Sequence, residues 1–246
     1  MSIARHVNAK TGLLAALCLP ALLLGGLLLP ARADDDAPSA RELLAQVRAN
    51  QASQNRDLTG KLRKSSSDEK IVIPFRLLLR ESTIVYQFTD RPESLILRLG
   101  DKSSRLDRAT GPGDKPEKIT GAKLDDLIRG TDISYEDLAL KFLYWTNAIV
   151  EPRKETVMTR SCWIVRAVPS RKDESQYDMA RLWIEPTGGL LQAECYAGGK
   201  LIRRFSVRNV QREAGGNGYI LKSMSIQRLD AQGKGTPPTY LEVRQD

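Results

Sequence analysis

The run Gly130-Thr131-Asp132-Ile133-Ser134-Tyr135-Glu136-Asp137-Leu138 contains, within nine residues, the signals for the end of one helix and the start of another. Glycine closes helices because it adopts the left-handed conformation without steric cost. Ser134 or Asp132 is suited to cap the next helix by accepting one of its unpaired backbone N–H groups. Asp137 then falls in the first turn, where the helix dipole favours negative charge. The other reading makes Asp132, Glu136 and Asp137 a metal or acid–base cluster. The cap is preferred, because Glu136 and Asp137 are neighbours on a helix and point in different directions.

Working outward, a short helix over about Ala122 to Arg129 stops at Gly130, and the helix after it places Leu138, Phe142 and Trp145 on one face. Residues 109–119 have the glycine and proline content of a surface loop. Far upstream, Ser39-Ala40-Arg41-Glu42 is a capping box that opens a helix running to about Ser53, with Ala40, Leu43, Leu44 and Val47 on its buried face. From Asp57 the period shifts to two. Strands are expected around Leu58 and Leu62, over Ile71 to Leu79, at Ile84/Tyr86/Phe88 and at Leu95/Leu97/Leu99. Pro74 lies inside the second of these and predicts a bulge or an edge position, since proline cannot donate to a ladder. The last hundred residues predict an antiparallel meander over Cys162–Val168, Ala180–Glu185, Leu190–Ala197, Lys200–Val210, Tyr219–Leu229 and Tyr240–Val243. Pro186-Thr187-Gly188-Gly189 and Gly198-Gly199 supply turns. So many closely spaced strands imply a mainly β fold, with a strongly curved sheet or barrel and a few helices (α+β).

At the amino terminus, Arg5 and Lys10 precede an uncharged apolar run from Leu13 to Leu29, and Ala31-Arg32-Ala33 supplies small residues before Asp34. Residues 1–33 are expected to be a cleaved secretory signal, leaving a single domain over 34–246. The apolar run is long enough that an uncleaved inner-membrane anchor is the alternative. Both place the domain outside the cytoplasm. Cys18 reads as part of the apolar run.

The chain has 38 Lys and Arg against 30 Asp and Glu, and residues 1–33 hold three of the cations and none of the acids, so the remainder carries +5. That mild, dispersed charge suits a soluble surface and argues against a nucleic-acid partner. The only histidine, His6, lies within the signal. Histidine-based triads, histidine metal sites and the usual neutral-pH general base are therefore excluded from 34–246. Neither a nucleophile elbow nor a phosphate-binding glycine loop is present, so no catalytic residue, metal or cofactor is expected.

The nine-residue run, followed by Phe142-Leu143-Tyr144-Trp145, the Cys162 strand, Tyr177, Trp183, Glu194-Cys195-Tyr196 and Gly198-Gly199-Lys200-Leu201, resembles the LolA-like outer-membrane lipoprotein-sorting proteins. The likeness covers about Ser39 to Val243, with the motif over Gly130, Thr131, Asp132, Ser134, Tyr135, Glu136, Asp137 and Leu138. It implies an incomplete antiparallel β-barrel covered by short helices. It also implies a periplasmic, monomeric, non-enzymatic carrier that shields acyl chains of lipoproteins or lipids, with an inner-membrane exporter or an outer-membrane acceptor as partner. An acyl site needs apolar side chains on the inner face of the sheet. Leu77, Leu79, Val85, Leu95, Leu97, Leu138, Phe142 and Trp145 are the candidates. The same residues would also build a closed core, which gives the alternative of an envelope scaffold.

Cys162 and Cys195 are the remaining thiols, and an exported protein permits a disulfide between them. If the 180–185 strand separates theirs, they lie about 9.5 Å apart, twice the strand spacing and too far for a bridge. Trp163 and Trp183 are expected to pack together, in the core or at a pocket. Lys200, Arg203, Arg204 and Arg208 form a basic strand expected to be a solvated outer face.

Overall fold

Strand alternation divides the amino-terminal half of the chain into two faces. In the computed structural model, which describes residues 37–66, 70–212 and 219–245, β1 (Asn55–Ser65) and β2 (Lys70–Arg80) turn Leu58, Leu62, Ile73, Phe75, Leu77 and Leu79 to one side, where all are buried. The meander continues through β3 (Thr83–Phe88), β4 (Ser94–Leu99) and β5 (Ser104–Ala109) to a two-residue edge strand, β6 (Glu117–Lys118). The second half contributes β7 (Asn147–Val150), β8 (Glu155–Val157), β9 (Arg160–Val168), β10 (Met179–Ile184), β11 (Leu190–Ala197), β12 (Lys200–Arg212), β13 (Tyr219–Arg228) and β14 (Thr239–Gln245).

The two meanders are joined through the first and last strands, with Gly60 opposite Val243 and Leu62 opposite Leu241. One antiparallel sheet results, in the order β6-β5-β4-β3-β2-β1-β14-β13-β12-β11-β10-β9-β7, with β8 paired to β9. Its ends, β6 and β7, do not pair, so the sheet is an open, incomplete barrel. Gly60 permits the central crossing: a Cβ there would sit 2.6 Å from the Glu242 carbonyl and 2.7 Å from the Phe75 ring.

Pro74 makes neither a bulge nor an edge. β2 is central, and its register with β1 runs without a shift through Pro74 opposite Lys61. Strand alternation turns the proline nitrogen toward β3, whose last rung is Phe75 with Phe88. The missing donor thus falls just past the end of that ladder. The Pro74 carbonyl, on the same side, accepts from the Thr89 N–H at 3.1 Å.

The inner face is covered by α1 (Ala40–Ala52) and by the connection from β6 to β7. In α1, Ser39 and Glu42 form the expected capping box, and Ala40, Leu43, Leu44 and Val47 are buried. The helix rests on the β10–β11 turn, where Asn50 Nδ2 donates to the Thr187 carbonyl at 2.8 Å and Gln46 Nε2 to the Pro186 carbonyl at 3.3 Å. The connection holds a 3-10 turn (Gly121–Asp125), α2 (Tyr135–Ala139) and a second 3-10 turn (Lys141–Tyr144). The helix expected to carry Leu138, Phe142 and Trp145 ends after five residues because Leu140 turns left-handed at φ 51°. Leu138 and Phe142 therefore belong to two successive short segments, with Trp145 just after the second, instead of one helix face. Ile119, Leu124, Ile128, Ile133 and Phe142 bind this cover to the strands in one hydrophobic core. Among the described residues, no helix is long and apolar enough to cross a membrane.

Candidate functional site

Seven of the eight candidate acyl-contacting residues meet in that core. Leu95 and Leu97 are fully buried, Phe142 and Trp145 nearly so, and Leu77, Leu79 and Leu138 retain at most 8% exposure. Val85 does not join them. It pairs with Leu78 and Ile96 on the outer face, since alternation from buried Ile84 and Phe88 turns it the other way.

The nine-residue run lies across the inner face and is held there by side chains from distant strands. Ser134 Oγ accepts from the Asp137 N–H at 3.2 Å, and Asp137 Oδ2 accepts from the Ser134 N–H at 2.7 Å, completing the helix cap. Asp137 does more than cap. Its Oδ1 accepts from the Tyr177 hydroxyl at 2.5 Å, and Oδ2 lies 3.3 Å from Arg203 Nε. Arg203 is 4% exposed and also donates to the Asp132 carbonyl. The Asp132 carboxylate, 1% exposed, accepts from Lys64 Nζ at 3.1 Å and from Thr239 Oγ1 at 3.3 Å. Glu136 accepts from the Ser175 hydroxyl and from the Gln176 N–H at 3.0 Å. The run is thereby tied to β1, β12, β14 and the loop before β10.

The three carboxylates do not converge on a common point; each has its own donors. Among the described residues, no group of three or more His, Cys, Asp or Glu is placed to hold a metal ion. Burial raises the Glu136 pKa, against the opposing hydrogen bonds from Ser175 and Gln176. Burial also pushes the Tyr177 phenol well up, reinforced by the Asp137 charge. For Arg203, burial works against its charge, but Asp137 and Tyr177 outweigh it and the guanidinium is held more firmly protonated. The site is thus a fixed ion pair with a neutral phenol, suited to fastening the cover.

The family described as "Uncharacterized protein" matches residues 113–246, more than half of the chain. The chain belongs to that family. No curated protein matches it in sequence. Among solved structures it is similar to a putative outer membrane lipoprotein-sorting protein domain from Vibrio parahaemolyticus, at 16% identity and a TM-score of 0.64, covering 84% of this chain and 92% of that one. A DUF1329 family protein from Desulfovibrio piger gives 15% identity and 0.63 over 83% and 90% of the two chains. A LolA superfamily protein from Nitrosomonas europaea gives 14% and 0.59 over 85% and 93%. The fold is LolA-like.

Within this LolA-like fold the inner-face candidates are packed into the core. An apolar crevice between Leu140, Phe142, Leu190, Phe205, Val207 and Met224 measures about 40 Å³, roughly a tenth of a small-molecule pocket of ~300–1,000 Å³. Arg203 corrects the expectation for the basic strand. Arg204 points outward to Glu194 at 2.9 Å, whereas Arg203 shares the inward phase of Phe205. Alternation counted back from Phe205 would have found it. Tyr177, Lys64 and Thr239 left no local signal of their role, because their partner Asp132–Asp137 segment is distant in sequence.

Both cysteines are free and buried. Their strands flank β10, and the offset along the strands is larger than the lateral one. Cys195 is level with Ala180 and Ala167, five residues along β9 from Cys162, or about 17 Å at ~3.3 Å per residue. They also face opposite sides, Cys195 in the main core and Cys162 in an outer cluster with Ile164, Trp183 and Leu191. The tryptophans are likewise on opposite faces: Trp163 packs on the main core, and Trp183 donates from the outer cluster to Glu155 Oε2 at 2.8 Å.

Proposed function

We propose that residues 1–33 export the chain and that residues 34–246 act in the periplasm as a non-enzymatic carrier. It shields acyl chains of lipoproteins or lipids between the inner face of the sheet and its cover. The observation that carries this is the construction of the cover. The inner face of β1–β5 is apolar from strand to strand, yet opposite it lie short pieces joined at left-handed residues, Arg129 (φ 50°), Gly130 (φ 78°) and Leu140 (φ 51°). Such pieces are displaced separately more readily than one long helix, and an acyl chain entering beneath them replaces the apolar contacts they give up. The packed inner face is then the unloaded state. The similarity in fold to a putative lipoprotein-sorting domain supports the reading. An inner-membrane exporter or an outer-membrane acceptor is the partner that goes with this reading.

The closed packing of Leu95, Leu97 and Phe142 favours a second reading, an envelope scaffold that keeps the fold without a cavity. The two are separated by Leu97→Gln and Phe142→Gln, with Ile96→Gln on the outer face as control. Retention of a fluorescent fatty acid and thermal unfolding are measured on each. For a carrier, the two inner-face variants lose fatty-acid retention and the control keeps it. If the unmodified protein retains none, and the inner-face variants only lose stability, the scaffold stands.

A further inference from the structure

The outer face of the amino-terminal half carries a repeated charge arrangement. Asp57 on β1 lies 2.5 Å from Arg80 and 3.7 Å from Arg76, both on β2. Asp107 on β5 lies 2.6 Å from Arg105 and 3.1 Å from Arg98. Glu242 on β14 lies 2.9 Å from Arg63 and 3.3 Å from Lys61. Each carboxylate is thus shared by two cations, which leaves every cluster with one positive charge in excess. In every cluster the acid is also covered about as deeply as its cations or more so. Asp107 is 1% exposed beneath arginines that are about half exposed, Asp57 is 41% exposed against 53% and 49%, and Glu242 is 29% against 35% and 34%. Over Asp107, solvent therefore meets the cations first.

Register puts all three clusters on one face, opposite the core. Between them runs an apolar row, Leu78, Val85 and Ile96, on adjacent strands, with Val72 44% exposed farther along β2. The outer face of the other half is built differently. There Glu194, Glu185 and Glu151 each sit on a single arginine, and Arg181 is shared by two acids. On the face of β1–β5 and β14, the mixture of such doubly cationic clusters with apolar side chains complements anionic phosphates above acyl chains.

We infer that this outer face of β1–β5 and β14 docks on an anionic phospholipid surface, independently of any acyl chain bound on the inner face. Association is electrostatic and weakens with salt, with the apolar row at the headgroup boundary. The test is co-flotation of the purified protein with vesicles of equimolar phosphatidylglycerol and phosphatidylcholine, against phosphatidylcholine alone. Binding is expected only to the anionic vesicles, and to fall as salt is raised.

The variant Lys61→Gln/Arg76→Gln/Arg98→Gln removes one cation from each cluster and leaves every carboxylate its nearer partner, so the fold is kept and the excess is abolished. Its vesicle affinity is expected to fall on the order of a hundredfold, taking about 1 kcal/mol per cation near the surface. Its thermal unfolding and fatty-acid retention are expected to stay unchanged. Equal binding of the two vesicle types, unchanged binding by a folded triple variant, or binding to an anionic polysaccharide resin without binding to vesicles would each overturn the assignment. Loss of fatty-acid retention from the unmodified protein would leave it standing.

Discussion

Arg203 and Asp137 form a pair that is only favourable while both are present. Replacing Asp137 by Ala leaves a buried guanidinium without its countercharge, and thermal or urea unfolding is expected to show a loss of about 3–5 kcal/mol. Replacing both partners, Arg203→Met with Asp137→Leu, removes the two desolvation costs together and is expected to recover most of that loss. A double variant as unstable as Asp137→Ala would show that the geometry of the cap, not the ion pair, dominates. Glu136 gives the complementary case. Its raised pKa means that the folded state holds the proton more tightly than the unfolded state. This group's contribution is therefore greatest below the ordinary carboxyl value of 4.5 and is lost as pH rises through its folded value. Glu136→Gln is expected to raise stability at neutral pH and to flatten the dependence over that window. Unfolding curves across the window, with no change from the unmodified protein, would contradict the assigned cause. These roles were only half legible in the sequence: it offered Ser134 or Asp132 as the cap and put Asp137 in the first turn, whereas Tyr177 and Arg203 reach Asp137 from far along the chain.

At the scale of elements, legibility followed hydrophobic content. The capping box at Ser39 and the apolar period of α1 located that helix to within a residue, and the six strands of the last meander were each placed close to their observed bounds. β5, β7 and β8 gave little signal. β5 reads Ser-Arg-Leu-Asp-Arg-Ala, and only Leu106 faces the core while Asp107 is buried beneath arginines on the other side. Val85 was misplaced although Ile84, Tyr86 and Phe88 around it mark the inner phase, so its face was readable from strict alternation. The left-handed Leu140 that ends the expected second helix early had no such warning, because Leu is a good helix former and tertiary packing decides its conformation. Gly60 makes a prediction about the sheet itself. Gly60→Ala places a Cβ against both a backbone carbonyl and the Phe75 ring, and is expected to cost about 1–3 kcal/mol in thermal unfolding, as overpacking does. An unchanged midpoint would mean that β1 and β14 separate easily.

At the largest scale, the described residues from β1 to β14 form a half-open sheet whose free edges are joined by the segment that covers it. The first and last strands pair at its centre, so closure depends on the complete chain from β1 to β14. Sequence indicated many short strands and a curved sheet, but not which strands meet, because strand order is set by contacts between distant residues such as Leu62 and Leu241. The broken cover gives the proposed carrier a route to open. Whether the inner face receives acyl chains is decided most directly by native mass spectrometry of the protein purified from the periplasm. The account predicts a species heavier than the chain beginning at Asp34 by the mass of one or more acyl lipids, released on mild activation. A single lipid-free mass, unchanged after incubation with lipid or lipoprotein, would contradict it.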